Sequence, residues 1–415
     1  MKNEQVYESL KKYSAMLFAD GYIDSGYIAV KADEGLYVTT PDADFADLKE
    51  EQVAYVTDKT VEQLEGNFRA AAVLLICALK AKKDAGAAAI VDSKSILDFS
   101  KRRITLPPIL EDMAQINGIS VRAAKHNTAA ETVAAMSGAR NACFLPEAGA
   151  LVTGRTLAEV YTGSLVLDKA SNGWLLAEPK GGAKHLSAVE AWLEHMIYKL
   201  KYSKKNQDSQ KAAEAGKQVD TAEKPSAIVT DELMKTAREI KDAGVKLLEE
   251  NLVQGTWGNI AVRLDGKEMM ATPSALDYVM LKPEQMAIVD METMEWKGSN
   301  KPTSEKGVHA QILLGHPDSN ATVHTHPFYG SILAAMRQPL RVPEKYREVL
   351  GDVVPVSKFA PSGTPWLVKS CAAAIGDAPC LIIASHGVVA RGKDLDDAFR
   401  ICRALEDACR DYLLG

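Results

Sequence analysis

The chain contains two copies of one sequence pattern. The stretch SGYIAVKADEGLYVTTPDADF, which begins at Ser25, parallels WGNIAVRLDGKEMMATPSALDY, which begins at Trp257. A second pair follows in the same order, because CFLPEAGALVTGRTLAEVY from Cys143 parallels CLIIASHGVVARGKDLDDAF from Cys380. Two matched blocks in register predict an internal duplication of about 200 residues, and a period of that length indicates two domains rather than a solenoid.

A polar stretch separates the two copies. Residues 203–226 read SKKNQDSQKAAEAGKQVDTAEKPS and contain almost no large apolar side chain. Such a composition is typical of a linker. We therefore predict a first domain over residues 1–202, a linker over 203–226 and a second domain over 227–415.

Each copy alternates helical and strand-like patterns. The run TDELMKTAREIKDAGVKLLEENL is helical in its apolar period, with Thr230 as a candidate N-cap. Short runs such as NIAVRL, MAIVDM, ATVHTH and CLIIAS are typical of strands. The alternation predicts an α/β fold in which helices cover a sheet, and it leaves the strand order open.

Composition narrows the class of partner. The net charge is −6, and no basic cluster is paired with aromatic residues, which argues against a nucleic-acid partner. No run of 18 apolar residues appears, and the N-terminus lacks the apolar core of a secretory signal, so we expect no membrane partner and a cytoplasmic location. The six cysteines form no CxxC pair and are expected to be reduced. With nucleic acid and membrane argued against, a small molecule is the expected partner.

Two histidines lie one residue apart in the segment NATVHTHPFYGS. On a strand, His324 and His326 would point to the same face about 7 Å apart, a spacing that one metal ion can bridge. The spacing permits a metal site without requiring one, because an isolated HxH is more often a hydrogen-bonded pair or a coincidence.

Two further residues favour a metal site. His386 follows the apolar strand CLIIA and precedes a glycine, and Glu305 stands at the predicted start of the helix SEKGVHAQILLG. Three neutral imidazoles would leave zinc an open position, and the carboxylate would supply a base beside it. Alternatively, Ser304 is a helix cap and Glu305 its capping partner.

These residues belong to a set of motifs that occurs in a fixed order. QGTWGNIAVR, TPSALDY, PTSE, HTHP and ASHGVVARG follow one another between Thr230 and Gly415. In this order they resemble the class II aldolase/adducin family, whose members include L-fuculose-phosphate aldolases. The resemblance implies two tandem class II aldolase-like three-layer domains, each with a mainly antiparallel central sheet covered by helices.

The resemblance also implies roles for individual residues. His324, His326 and His386 match the zinc ligands, so one Zn²⁺, or another divalent transition metal, is expected per chain. Glu305 matches the catalytic acid/base. The positions that match the family's phosphate-binding residues are Asn259, Ser274, Thr303 and Ser304. The chain departs from the family at Ala275, where a glycine is usual, and this puts the shape of the phosphate pocket in doubt.

The activity implied is that of a zinc-dependent sugar-phosphate aldolase, a carbon–carbon lyase that cleaves a ketose phosphate reversibly through a metal-stabilised enediolate. An alternative is a sugar-phosphate 4-epimerase, although the family's epimerases typically carry aspartate where Glu305 stands. Decarboxylation of a keto-acid phosphate and dehydration of a thioribulose phosphate are also open. The alternative from another class is an adducin-like binding or scaffold protein.

The first half lacks the metal-site residues. Aligned on the second half, it places Asp92 and Lys94 at the positions of His324 and His326. A lysine ammonium repels a divalent cation, so we predict a degenerate copy without a metal site. The remaining positions are Ala148 for His386, Tyr27 for Asn259, and Ala72 or Val73 for Glu305.

The resemblance extends to assembly. Family aldolases form four-fold rings, so a tandem chain is expected to form a homodimer with four domains. They also borrow a tyrosine from the neighbouring subunit as proton donor, and Tyr346 is the candidate in the second half. The matching stretch of the first half has no tyrosine, which leaves His126, or a reaction without such a donor, as alternatives.

The remaining histidines are expected to have no role as ligands. His309 is expected in the core or behind the metal site, and His316 in solvent. The expected surface or core histidines of the first half are His126, His185 and His195.

Overall fold

The computed structural model describes residues 4–202, 225–253, 257–274, 276 and 278–415. These residues divide into two compact units. The first lies within Met1–Leu175 and Leu186–Tyr198, and the second within Leu176–His185 and Lys199–Gly415. The predicted linker falls outside the described residues except for 225 and 226, and the predicted domain boundaries stay a prediction.

The first unit is built on a seven-stranded sheet in the order β3-β2-β1-β4-β7-β6-β5. Every pair is antiparallel except β5 with β6. The strands are β1 (Tyr27–Lys31), β2 (Gly35–Thr39), β3 (Val53–Thr57), β4 (Ala87–Val91), β5 (Arg122–Ala123), β6 (Ala142–Leu145) and β7 (Gly149–Gly154).

Several helices of the first unit begin at side chains that cap them. The Thr128 hydroxyl accepts the N–H of Glu131, and Ser187 forms a capping box with Glu190. The helices are α1 (Glu4–Ala19), α2 (Gly66–Ala81), α3 (Lys94–Ser100), α4 (Glu111–Asn117), α5 (Ala129–Ala135), α6 (Leu157–Ala177, whose last two residues fall in the second unit) and α7 (Ala188–Ile197).

The second unit also has a seven-stranded sheet, in the order β11-β10-β9-β8-β12-β16-β15, and all of its pairs are antiparallel. A separate two-stranded ribbon joins β13 and β14. The strands are β8 (Gly258–Arg263), β9 (Glu268–Ala271), β10 (Ala287–Asp290), β11 (Trp296–Lys297), β12 (Ala321–Thr325), β13 (Leu340–Arg341), β14 (Val353–Val354), β15 (Cys380–Ile383) and β16 (Gly387–Gly392).

The helices of the second unit include the one that was predicted to begin after Thr230. The Thr230 hydroxyl accepts the N–H of Leu233 at 3.2 Å, as an N-cap does. The helices are α8 (Asp231–Glu249), α9 (Lys306–Gly315), α10 (Phe328–Met336), α11 (Arg347–Leu350), α12 (Pro365–Ile375) and α13 (Leu395–Leu414).

The sheet order repeats from one unit to the other. Strands β3-β2-β1-β4-β7-β6 of the first unit correspond to β10-β9-β8-β12-β16-β15 of the second. The units differ at the edges, where β5 extends the first sheet and β11 extends the second at the opposite end. The duplication seen in the sequence is therefore a duplication of the fold.

Alternating burial shows the layers of the second unit. Ile260, Met270 and Val323 pack in one apolar cluster with α8, α10 and α13. Their sequence neighbours Ala261 and Met269 pack on the other face with α9. Because successive side chains of a strand point to opposite faces, the sheet lies between two helical layers. The predicted three-layer, mainly antiparallel α/β fold is confirmed.

Two composition-based expectations can be compared with the structure. All six cysteines are free thiols, and all except Cys77 are buried. Among the described residues, no helix is long and apolar enough to span a membrane.

Candidate metal centre

Strand β12 carries the first histidine of the centre. His324 pairs with Asn259 on β8 and with Val389 on β16, so both flanking strands fix its position. Its Nδ1 lies 2.8 Å from the carbonyl oxygen of Val388. A carbonyl only accepts hydrogen bonds, so Nδ1 carries the proton and Nε2 presents its lone pair, as a metal ligand must.

The hairpin between β15 and β16 carries another histidine, His386. Ser385, just before it, has a φ of 55° and donates its N–H to the carbonyl of Ala334 on α10 at 2.8 Å. Gly387 follows, and a Cβ there would lie 2.4 Å from the Thr325 oxygen. A glycine is therefore required for the hairpin to approach β12 so closely.

The three imidazoles converge in the interior. His324 Nε2 lies 3.0 Å from His326 Nε2 and 3.1 Å from His386 Nε2. The residues are 2%, 5% and 4% exposed, respectively. Among the residues that the structure describes, they are the one group of three or more His, Cys, Asp or Glu side chains whose ligand atoms could share an ion. The structure thus brings the predicted trio together.

Glu305 completes the cluster. One of its carboxylate oxygens lies 3.1 Å from His324 Nε2, and the other lies 3.0 Å from His386 Nε2. Burial alone would raise the pKa of Glu305, but His324, His386 and the Asn259 amide together hold it well below its usual value. Burial lowers the pKa of His324, more than the neighbouring Glu305 raises it.

The donor set fits a divalent cation. The single lone pair on His324 Nε2 faces two imidazole nitrogens and a carboxylate oxygen at 3.0 to 3.1 Å. One lone pair accepts one hydrogen bond, so it cannot form hydrogen bonds with all three of these electron-rich atoms. A metal ion ligated by the three Nε2 atoms removes the conflict.

Behind Glu305 lies a hydrogen-bonded pair, Asn259 and His309, whose contact with each other the sequence did not predict. Asn259 donates from Nδ2 to Glu305 Oε2 at 2.9 Å, and its Oδ1 faces Nε2 of His309. The other nitrogen of His309 lies 2.7 Å from the Thr322 hydroxyl. Burial, and next the nearby His324, lower the pKa of His309 to about 3, so this imidazole is neutral.

Two segments with predicted phosphate-binding residues lie side by side. Pro273 and Pro302 form an antiparallel bridge, and the N–H of Ser274 donates to the carbonyl of Lys301 at 3.0 Å. The Thr303 hydroxyl accepts the N–H of Glu305 at 3.2 Å. The N-cap of α9 falls on Glu305, so the alternative in which Ser304 caps this helix was wrong.

Ser304 and Asn259 were also predicted to bind phosphate. Ser304 is exposed, and the amide of Asn259 is directed at Glu305. Ala275, at which the chain departs from the family, lies outside the described residues. The phosphate-binding roles stay predictions.

The candidate proton donor Tyr346 contacts the C-terminal helix. Its hydroxyl donates to Asp411 Oδ2 at 2.9 Å. Lys345 forms an ion pair with the same carboxylate at 2.6 Å. Asp411 therefore holds the tyrosine hydroxyl within the second unit, and its role in proton transfer stays a prediction.

Strand pairing corrects the alignment of the first copy. Tyr27, which matches Asn259, pairs with Ile90, whereas Asn259 pairs with His324. Ile90 therefore occupies the position of His324, and Asp92, two residues on, occupies that of His326. The predicted equivalents Asp92 and Lys94 were wrong by two residues, because the sequence alignment matched polar residues to histidines and ignored the register of the strands.

The corrected positions do not form a metal site in the first copy. Ile90 packs in the apolar cluster of α2 and the sheet, and the ring of Tyr27 stacks on Phe68 with centroids 5.9 Å apart. The carboxylate of Asp92 accepts the N–H groups of Asp24 and Ser25 at 2.7 and 2.8 Å, and the Ser25 hydroxyl at 2.7 Å. A position that holds a histidine of the centre in one copy thus anchors a loop in the other.

Of the other histidines, His316 differs from expectation. It was expected in solvent, but it is half-buried, and its ring nitrogens face the carbonyls of Ile312 and Gly376 at 2.7 Å each. His195 is buried with Nδ1 2.9 Å from the Gln115 carbonyl. His126 and His185 are exposed.

The sequence does contain signals that place His309 near the site. His309 follows Glu305 by four residues, which places both on one face of a helix. Thr322 precedes His324 by two residues, which places both on one face of a strand. The partner Asn259 lies 50 residues before His309, and no local pattern joins them.

Comparison with known proteins agrees with this geometry. The family described as Class II Aldolase and Adducin N-terminal domain matches residues 9–175 and again 238–413. The chain belongs to this family. The two separate matches confirm both the resemblance and the tandem arrangement.

Similar proteins of the family are sugar-phosphate aldolases. The chain is 32% identical over 174 residues to the 5-methylthioribulose-1-phosphate/5-deoxyribulose-1-phosphate aldolase of Rhodospirillum rubrum, covering 41% of this chain and 77% of that protein. It is 30% identical over 170 residues to an L-fuculose phosphate aldolase of Methanococcus maripaludis, covering 41% and 92%, respectively. A solved L-fuculose 1-phosphate aldolase is 29% identical, with a TM-score of 0.43, over 45% of this chain and 87% of that one.

Proposed function

We propose that the second unit is a metal-dependent carbon–carbon lyase that cleaves a ketose phosphate by a reversible retro-aldol reaction. One observation carries the proposal: the Nε2 atoms of two buried imidazoles lie within 3.1 Å of His324 Nε2, with the Glu305 carboxylate against His324 and His386. The aldolase relatives support this reaction class. A scaffold role for the second unit would give no reason to bury this set of charged and metal-binding groups together.

The residues that would hold the ion are His324, His326 and His386. Three imidazoles and an open position suit zinc, although other divalent transition metals also accept nitrogen ligands. When bound, the ion supplies a Lewis acid that stabilises negative charge on the substrate oxygens. One ion per chain is proposed, because the first copy has Ile90 and Asp92 where two of these ligands would be.

Glu305 would move the proton. In retro-aldol cleavage of a ketose 1-phosphate, the C3–C4 bond breaks and its electron pair stays on C3. The C4 hydroxyl loses its proton as the aldehyde forms, and C3 gains a proton to give a dihydroxyacetone phosphate. As a carboxylate, Glu305 would remove the C3 proton in the condensation direction, and after taking up a proton it would deliver it to C3 in cleavage.

The phosphate would be bound at the start of α9. Ser274, Thr303 and Ser304 lie on two bridged segments there, and Asn259 keeps a second amide hydrogen beyond the one directed at Glu305. Hydroxyls and the free N–H groups of a helix start bind phosphate well because the helix dipole is positive at that end.

Two parts of the proposal concern more than one chain. We propose a homodimer with four domains in a ring, in the manner of the family. Tyr346 would exchange the proton at the aldehyde oxygen, and its present partner Asp411 would have to release the hydroxyl. Replacing Tyr346 with phenylalanine would then slow cleavage without changing metal content.

The substrate panel that tests the proposal follows from the relatives. Metal-loaded protein is incubated with L-fuculose 1-phosphate, 5-deoxy-D-ribulose 1-phosphate and 5-methylthioribulose 1-phosphate, and release of dihydroxyacetone phosphate is followed. We expect cleavage of at least one, and its loss in His326→Ala or with chelator. No cleavage by fully loaded protein, together with epimerised pentulose 5-phosphate or CO₂ release from a keto-acid phosphate, would replace the aldolase assignment by one of the alternatives.

A further inference from the structure

A fully buried histidine stands behind the candidate base. His309 lies on α9 four residues after Glu305 and is 0% exposed. Its Nδ1 lies 2.7 Å from the Thr322 hydroxyl, and its Nε2 faces Asn259 Oδ1. Because Asn259 Nδ2 lies 2.9 Å from Glu305 Oε2, hydrogen bonds run without a break from Thr322 to the carboxylate.

The donors and acceptors along this line fit one arrangement. The Glu305 carboxylate accepts, so the Asn259 amide must present its NH₂ group to it and its Oδ1 to the other side. Oδ1 also accepts, so His309 Nε2 must carry a hydrogen. Nδ1 of the neutral ring is then an acceptor, and the Thr322 hydroxyl donates to it.

We propose that His309 is a positioning residue for Glu305, acting by fixing the orientation of the Asn259 amide. The inference rests on the proposed function. Without the His309 N–H, the amide can rotate by half a turn, and its oxygen then faces the carboxylate instead of donating to it. A repelled Glu305 no longer holds the position from which it would deliver a proton.

The position of His309 also predicts which measured properties change when it is replaced. The nitrogens that would hold the ion belong to His324 on β12, His326 just after it and His386 on the β15–β16 hairpin, so loss of His309 leaves the donor set in place. The phosphate segments are held to each other by backbone contacts such as Ser274 N–H to Lys301 O. Metal content is expected to be kept while turnover falls, and because Asn259 is also a proposed phosphate ligand, KM is expected to rise as its amide turns away.

Two substitutions test the proposal by kinetics. His309→Leu removes the donor, whereas His309→Gln keeps one donor and one acceptor in the side chain. We expect kcat to fall about 10- to 100-fold and KM to rise in His309→Leu with metal content kept, and both to recover mostly in His309→Gln. His195→Gln, at a buried histidine of the first unit, is the matched control and should leave kcat unchanged.

A second measurement does not depend on activity. In metal-free protein labelled with ¹⁵N-histidine, the resonance that disappears in His309→Gln should be that of an Nε2–H tautomer. An Nδ1–H tautomer would overturn the proposal, and so would a His309→Leu enzyme that keeps wild-type kcat. Wild-type protein that cleaves none of the sugar phosphates overturns the proposed function instead, and the tautomer then still decides whether the hydrogen-bonded line is as inferred.

Discussion

At the residue scale, the site depends on the charge and placement of one carboxylate. Glu305 is 8% exposed, and each of its oxygens contacts a different imidazole. Neighbouring groups hold its pKa well below the usual value, so it is ionised at neutral pH. A buried carboxylate in this setting is a candidate for catalysis rather than for stability, because burial of the charge is costly without a use for it.

Glu305→Gln separates metal binding from proton transfer. The amide keeps the size of the side chain but cannot take up a proton, so kcat should fall about 10²- to 10⁴-fold. Metal content should stay at the wild-type value, since the imidazole ligands remain. Glu249→Gln, at an exposed position on α8, is the control and should match wild type. Undiminished turnover in Glu305→Gln would remove this residue from the mechanism.

The buried His309 predicts how stability depends on pH. Its pKa is about 3 in the folded chain, compared with about 6.5 for a solvated histidine. Between these values the unfolded state binds one more proton, so the free energy of unfolding decreases as the pH falls below 6.5, by about 1.4 kcal/mol per pH unit. Above 6.5 this contribution is fully present.

The measurement is the melting temperature of metal-free protein at pH 7 and pH 5. The melting temperature of wild type should fall more between pH 7 and pH 5 than that of His309→Gln, because the glutamine side chain cannot bind the proton. An equal loss in the two proteins would show that His309 titrates normally when folded.

At the element scale, both copies use the strand that corresponds to β4 and β12 as an inner strand of the sheet. The residue after this strand serves different ends. In the second unit this residue is His326. In the first unit it is Asp92, whose carboxylate accepts hydrogen bonds from Asp24 and Ser25 in the loop before β1. The first copy thus has the same fold with different residues at the matched positions.

Asp92→Ala should destabilise the first unit without affecting the metal centre. Loss of three hydrogen bonds to one half-buried carboxylate is expected to cost about 1–3 kcal/mol. The melting temperature should drop, and metal content should not change. Asp33→Ala, at an exposed position near β2, is the control. An unchanged melting temperature in Asp92→Ala would show that this loop contact contributes nothing to stability.

Much of this element-level organisation was predictable from the sequence. The repeat, the strand and helix alternation and the histidine strand all leave local patterns, and motifs in a fixed order linked His324, His326, His386 and Glu305. The register of β4 was not predictable, because nothing in AAAIVDSK shows whether Ile90 or Asp92 stands at the position that His324 has in the second copy. Pairing with β1 decides it, and pairing is a property of the folded sheet.

The contact between Asn259 and His309 escaped prediction for a related reason, although each residue was expected at or behind the site. Asn259 and His309 meet only because β8 lies beside β12 and α9 covers that face of the sheet. Sequence patterns report the period of a single element, whereas this contact joins two elements 50 residues apart. His316 was misplaced in the same way, since the Gly376 carbonyl that it faces lies 60 residues away.

At the scale of the whole molecule, the tandem arrangement predicts a particular assembly. If two chains replace four subunits of a family-like ring, light scattering should give a mass about twice that of the 44.9 kDa chain. Each chain would supply two of the four domain positions, so a second chain is needed to close the ring. A particle of one chain, or of four, would contradict the four-domain ring.

The central claim is that the whole chain carries a single metal centre, in its second unit. Elemental analysis of purified, metal-loaded protein tests it most directly, with His326→Ala as the matched variant and His126→Ala as the control. We predict one divalent ion per chain in wild type and in His126→Ala, and a large loss of the ion in His326→Ala. Two ions per chain, or full occupancy in His326→Ala, would contradict the account.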